Sequence, residues 1–128
     1  MRLLLDTHAL LWWWNDDAQL SSRAREAIAD RNHEVLVSAA SAWEIATKQR
    51  LGRLPGVPRL ASDYDRLVAD DGFHSLPVSA EHAWRAGSAV GAHRDPFDRM
   101  LAAQAEAEQL VLVTCDGAFA GFPVQTLW

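Results

Sequence analysis

Apolar residues fall into two alternating rhythms along this chain. Short unbroken runs, Leu3-Leu4-Leu5, Val35-Leu36-Val37 and Leu110-Val111-Leu112-Val113, have the form of strands buried on both faces. Between them the apolar positions recur at helical spacing, as with Ala24, Ala27 and Ile28. The pattern predicts strands over 2–6, 34–38, 74–78 and 110–114, with an edge strand over 124–127. It predicts helices over 7–14, 21–31, 41–51, 60–69, 80–90 and 96–108. Ser21 suits an N-cap, Gly52 stops the 41–51 helix, and Leu54-Pro55-Gly56-Val57-Pro58 reads as a loop. Strands and helices alternating in this way give an α/β fold in three layers, a mostly parallel central sheet flanked by helices.

A chain of 128 residues, 49% apolar, fits one domain, 1–128, with one core and no repeat or linker. Its longest apolar stretches, 3–5 and 9–14, fall well short of a bilayer span, and the N-terminus has no signal-peptide pattern, so a soluble cytoplasmic protein is expected. Cys115, the single cysteine, is expected to be a buried thiol after its strand.

The chemistry lies in three acidic strings: Asp6-Thr7-His8, Arg94-Asp95-Pro96-Phe97-Asp98-Arg99, and Thr114-Cys115-Asp116. Asp6 and Asp116 follow buried strands, at the edge where open α/β sheets bind ligands, and Asp98 stands in the first turn of a helix. Two carboxylates about 5 Å apart repel by roughly 3 kcal/mol at an effective dielectric of about 20, so a converging set needs a cation. Oxygen ligands favour Mg²⁺ or Mn²⁺ over Zn²⁺.

Each acid also has a purely structural role open to it. Asp6 can cap the helix after it, and Asp116 with Gly117 makes a common turn pair. Ser41-Ala42-Trp43-Glu44 fits a capping box, and Glu44 can pair with Lys48 one turn on, so spacing leaves the role of Glu44 undecided. Asp95 before Pro96 reads as an N-cap, whereas Asp98 shares a face with Leu101, Ala102 and Ala105 and points toward the core. Arg94 and Arg99 flank Asp98, placed either to hold a substrate phosphate or to neutralise Asp95. Thr7 offers a hydroxyl to water or phosphate at the site, and His8 is read as structural.

A net charge of −5 opposes binding to a phosphate backbone. Four of those charges would sit in the metal pocket, however, and Lys48, Arg50, Arg53 and Arg59 form an acid-free stretch beside it or an ordinary solvated face. Trp12, Trp13 and Trp14 cannot all face one core at about 100° per residue, so at least one is expected at the surface, as part of a protein interface.

Asp6-Thr7-His8, Ala42-Trp43-Glu44-Ile45, His93 to Met100 and Thr114-Cys115-Asp116 occur in the order seen in PIN-domain ribonucleases. Over nearly its full length the chain resembles the VapC-type toxins of bacterial toxin–antitoxin pairs. The resemblance implies a PIN fold and a Mg²⁺- or Mn²⁺-dependent endoribonuclease, with metal-activated water at a quartet of Asp6, Glu44, Asp98 and Asp116. Asp6, Asp98 and Asp116 would be the metal ligands, and Thr7, Asp95, Arg99 and Thr114 the candidate contacts to substrate or support. It further implies products with 5′-phosphate and 3′-hydroxyl ends and a VapB-type antitoxin as partner; the interface expected of the tryptophan run would serve a homodimer or a groove for an antitoxin helix. Two other readings are a catalytically silent PIN module that binds RNA or protein, and a receiver-like phosphoacceptor domain. The latter needs a lysine near a late strand, and Lys48, the only lysine, lies mid-chain on a helix.

Overall fold

The computed structural model describes residues 1–54, 63–91 and 93–128. Its centre is β1 (Arg2–Leu5), hydrogen-bonded in parallel to β2 (Glu34–Ser38) on one side and β4 (Val111–Val113) on the other. Outside these lie β3 (His74–Leu76) and β5 (Thr126–Leu127), giving the all-parallel order β3-β2-β1-β4-β5. Alternate residues feed opposite faces. Leu3, Leu5, Val35, Val37 and Val113 pack beneath α1 (Thr7–Trp14) and α2 (Ser22–Ala29). Leu4, Leu36 and Leu112 meet Leu101, Ala102 and Ala105 of α6 (Pro96–Glu108). The remaining helices are α3 (Ala39–Arg50), α4 (Tyr64–Asp70) and α5 (Ala80–Ser88), with a 3-10 turn over Gly117–Gly121. The predicted mostly parallel sheet with helices on both faces is thus present, and residues 60–62 of the predicted fourth helix lie outside the described residues.

The chain grows outward from β1 to β2 and β3, then returns to lay β4 and β5 on the other side. That reversal makes the gap between the carboxyl ends of β1 and β4 the topological switch point, where α/β sheets open a crevice. Leu5 pairs with both Val37 and Val113, so Asp6 leaves the sheet beside Thr114 and Ser38.

Three expectations change. α3 begins at Ala39, because the Ser38 hydroxyl accepts from Ala40 N at 3.0 Å; the Ser41–Glu44 capping box does not form, and Glu44 lies a full turn inside the helix. Cys115 is exposed, since Thr114 turns inward to Asp6 and the next residue faces out. The three tryptophans do not divide into buried and exposed members, because α1 is overlaid by three different elements. Trp12 packs edge-on against Trp128 and Trp14 against Tyr64, Trp13 meets Phe73 at a tilt, and the Asp71 carboxylate accepts from both the Trp13 and Trp14 indoles. Each is half-buried; the exposed tryptophans are Trp43 and Trp84.

Leu4 is fully buried on the central strand, so Leu4→Ala should destabilise the protein by about 2–5 kcal/mol in denaturant unfolding, through lost apolar contact and the cavity left behind.

Candidate active site

Asp6 is held at three points. Its N–H donates to Val113 O at 3.1 Å, Oδ1 accepts from Ala9 N at 2.7 Å as the cap of α1, and Oδ2 accepts from the Thr114 hydroxyl. The two oxygens of this side chain thus face different donors, one at the start of α1 and one at the end of β4. Burial raises its carboxyl pKa above the ordinary range, against the opposing pull of Thr114 and the Ala9 N–H.

Thr114 couples two of the acids. While its hydroxyl donates to Asp6, the same oxygen accepts from Asp116 N at 3.0 Å. Asp116 itself is exposed, and its Oδ1 caps the 3-10 turn by accepting from Ala118 N at 2.9 Å. Thr7, also buried, donates to Ser41 Oγ at 2.9 Å and so ties α1 to the first turn of α3. That contact places Thr7 in support of the fold around Asp6.

Glu44 is only 3% exposed. Lys48 holds its Oε2, the ion pair expected from the spacing, while Oε1 is buried with no hydrogen-bond partner. A buried carboxylate oxygen without a donor is costly in a finished core and explicable where a cation or water completes it. Its charge is felt at both Asp6 and Asp98.

At the start of α6 the roles separate as expected. Asp95 caps the helix, accepting from Phe97 N at 2.9 Å and Asp98 N at 3.2 Å. Asp98 is pushed up to about 6, first by burial and further by the charges of Asp95 and Glu44, with His93 opposing; His93 Nε2 lies 2.9 Å from Asp98 Oδ2. His93 also packs edge-on against Phe119 and Phe122. Its position in the motif was visible in sequence, but its bond to Asp98 was not, because it depends on the path of the preceding loop.

Arg99 takes the supporting role of the two open to it. Its guanidinium donates to three backbone carbonyls, Ala86 O at 2.9 Å, His93 O at 3.0 Å and Ala89 O at 2.6 Å, so it clamps the chain between α5 and α6. Arg94 remains exposed. Of the expected basic stretch, Arg50 and Arg53 are exposed, Lys48 is committed to Glu44, and Arg59 lies outside the described residues.

Thr114 thus links Asp6 to Asp116, and the charge of Glu44 is felt at both Asp6 and Asp98. Among the described residues no group of three or more His, Cys, Asp or Glu side chains is drawn close enough to hold a metal ion. Thr114, Lys48 and His93 each take one carboxylate oxygen instead. The donor set nevertheless suits a hard divalent cation, and the orphaned Glu44 Oε1 is the atom such an ion would satisfy.

Asp98 sets a pH dependence. Its folded pKa near 6 exceeds the ordinary 3.8, so the folded protein binds the extra proton and loses stability as pH rises through that window. In EDTA, Asp98→Asn should stabilise the protein at pH 7 by about 1–3 kcal/mol and leave little difference from wild type below pH 4, as read by urea unfolding across pH.

A 68-residue stretch of the chain is 38% identical to Ribonuclease VapC16 of Mycobacterium tuberculosis; the match takes in 52% of this chain and 45% of that protein, so the chain spans about half the length of this curated relative. Among solved structures, VapBC2 from Rickettsia felis, bound to a promoter DNA fragment, superposes over 99% of this chain and 98% of its own with a TM-score of 0.72 at 19% identity. VapBC-5 from Mycobacterium tuberculosis, a toxin–antitoxin system, covers 98% of this chain and 97% of its own with a TM-score of 0.62 at 17% identity. These two share the fold. The family model of the PIN domain matches residues 3–124, nearly the whole alternating sheet and its acids, and the chain belongs to the PIN domain family.

Proposed function

We propose that the protein is a Mg²⁺- or Mn²⁺-dependent endoribonuclease and the toxin of a toxin–antitoxin pair. The observation that carries this reading is the buried Glu44, with one oxygen anchored by Lys48, the other orphaned, and its charge felt at both Asp6 and Asp98. The 38% identity to a ribonuclease over half the chain supports the choice of RNA as substrate.

In this mechanism Asp6, Asp98 and Asp116 would hold the ion, and Glu44 Oε1 would complete the site or orient the attacking water. A divalent cation there supplies Lewis acidity, making hydroxide available near neutral pH and offsetting charge on the scissile phosphate. Thr114 fixes the direction of the Asp6 carboxylate, and Lys48 keeps Glu44 from turning away. His93 and the Asp95 cap set the start of α6 and hence the place of Asp98. No protein nucleophile is needed.

A VapB-type antitoxin is the proposed protein partner, supported by neighbours that are toxin–antitoxin complexes. Among the described residues no helix is long and apolar enough to cross a membrane, and a cytoplasmic location accompanies the reading. A homodimer is supported by the exposed apolar face of α5, where Trp84 is 78% exposed beside a shallow groove of about 420 Å³.

The reading is tested by incubating the purified protein with a cellular RNA pool in Mg²⁺, Mn²⁺ or EDTA. Discrete cuts bearing 5′-phosphates are expected with either metal, none in EDTA, and a rate lowered about 100-fold or more by Asp98→Asn. Cyclic-phosphate ends would overturn the mechanism, and RNA binding without cutting would favour a silent binding module.

A further inference from the structure

Trp43 immediately precedes Glu44, and Phe97 immediately precedes Asp98. Their rings meet edge to face across the junction of α3 and α6, with centroids 4.7 Å apart and planes at 76°. Consecutive helical residues diverge by about 100°. The two acids that feel each other's charge inside the site therefore carry, one step outward on each helix, two aromatics that touch at its rim.

Trp43 is 62% exposed. So large an apolar side chain is normally well covered, and the others of the N-terminal run each find a neighbour that half-buries them. A T-shaped contact covers at most one face of an indole. The remaining face is open to solvent yet held in place, because Phe97 is itself half-buried at the first turn of α6. Such a surface is rigid, flat and uncharged, and it stands beside carboxylates that repel any anion not accompanied by a cation.

We propose that Trp43, braced by Phe97, is a stacking platform that takes an unpaired nucleobase of the bound strand at the rim of the site. The inference rests on the nuclease reading above and adds to it a residue that contacts the substrate. Every base has a π face, so stacking holds a strand without reading its sequence, whereas bases inside a duplex keep their faces covered by one another. A base on Trp43 is held one residue from Glu44 on α3 and, through Phe97, one residue from Asp98 on α6, at the rim of the candidate site. The exposed Arg50 and Arg53 lie on and just beyond α3, where they meet the phosphates of the flanking strand.

The test measures RNA binding in an Asp98→Asn background, where cleavage is removed and the rim is kept. An unstructured, dye-labelled single-stranded oligoribonucleotide, and the same strand annealed to its complement, are titrated in Mg²⁺ against this protein with Trp43, Trp43→Ala or Trp43→Phe. Trp43→Ala should weaken single-strand binding about tenfold or more, leave duplex binding unchanged and keep the circular dichroism of the parent, while Trp43→Phe recovers most of the loss. Equal single-strand affinity with and without the indole overturns the platform, as does an equal loss for duplex. Unchanged RNA affinity with an altered mass in light scattering overturns it in favour of a protein contact. Metal-dependent cleavage by the wild type alongside such a failure leaves the nuclease reading standing. A wild type that neither cuts nor binds RNA removes both.

Discussion

Everything at the candidate site hangs on where β1 releases the chain. Its register against both neighbours brings Asp6 out of the sheet beside Thr114, and from there one backbone amide and two carboxylate oxygens are each given a donor or acceptor. A carboxylate this buried and this charged is unfavourable in a core. The fold accepts it because the start of α1 presents an N–H to one oxygen and the end of β4 a hydroxyl to the other. The remaining acids are arranged around this one. Thr114 extends the link to Asp116, Thr7 extends it to α3 through Ser41, and α3 brings Glu44 within its field.

On the proposed reading, capping and chemistry are combined in these residues. Asp6, Asp95 and Asp116 each accept a backbone N–H at the start of a helix or turn. A helix N-terminus tolerates negative charge, so the sites where carboxylates are cheapest to place are also those that crowd the carboxyl edge of a parallel sheet. Glu44 and Asp98 lack that support at their side-chain oxygens. They rely on Lys48 and His93, and it is Asp98 whose pKa climbs into the range where protons and metal ions compete.

Much of this was legible in the sequence because local rules decided it. Leu-Leu-Leu-Asp marks a buried strand and its end, and Asp95-Pro96 marks a helix start that no other reading fits as well. The start of α3 was not legible, because Ser38 and Ser41 are equally good caps and the choice belongs to the length of β2. The tryptophan run misled for a similar reason. Helical geometry shows that three consecutive side chains diverge, but not that β5, α4 and the chain before β3 bring a cover for each. Arg99 had two roles open to it beside Asp98, and its partners are carbonyls of residues 86 to 93, which meet it only after α5 has packed on α6. His93 joins the site by the same route.

The charge balance makes the rim as informative as the pocket. With −5 overall, Arg99 turned to the backbone and Lys48 spent on Glu44, the site has few cations left with which to attract a polyanion. A protein that bound RNA mainly through phosphates would carry a basic stripe and lose affinity steeply with salt. On the proposed reading, the two short-range sources here are a cation held among the acids and an aromatic face beside them. Neither depends on long-range attraction, and stacking is indifferent to the sign of the surrounding field. An acidic nuclease, as proposed, is therefore better matched to a strand whose bases are already unstacked, because the proposed contact that offsets repulsion is available only when a base can leave its neighbours and reach Trp43.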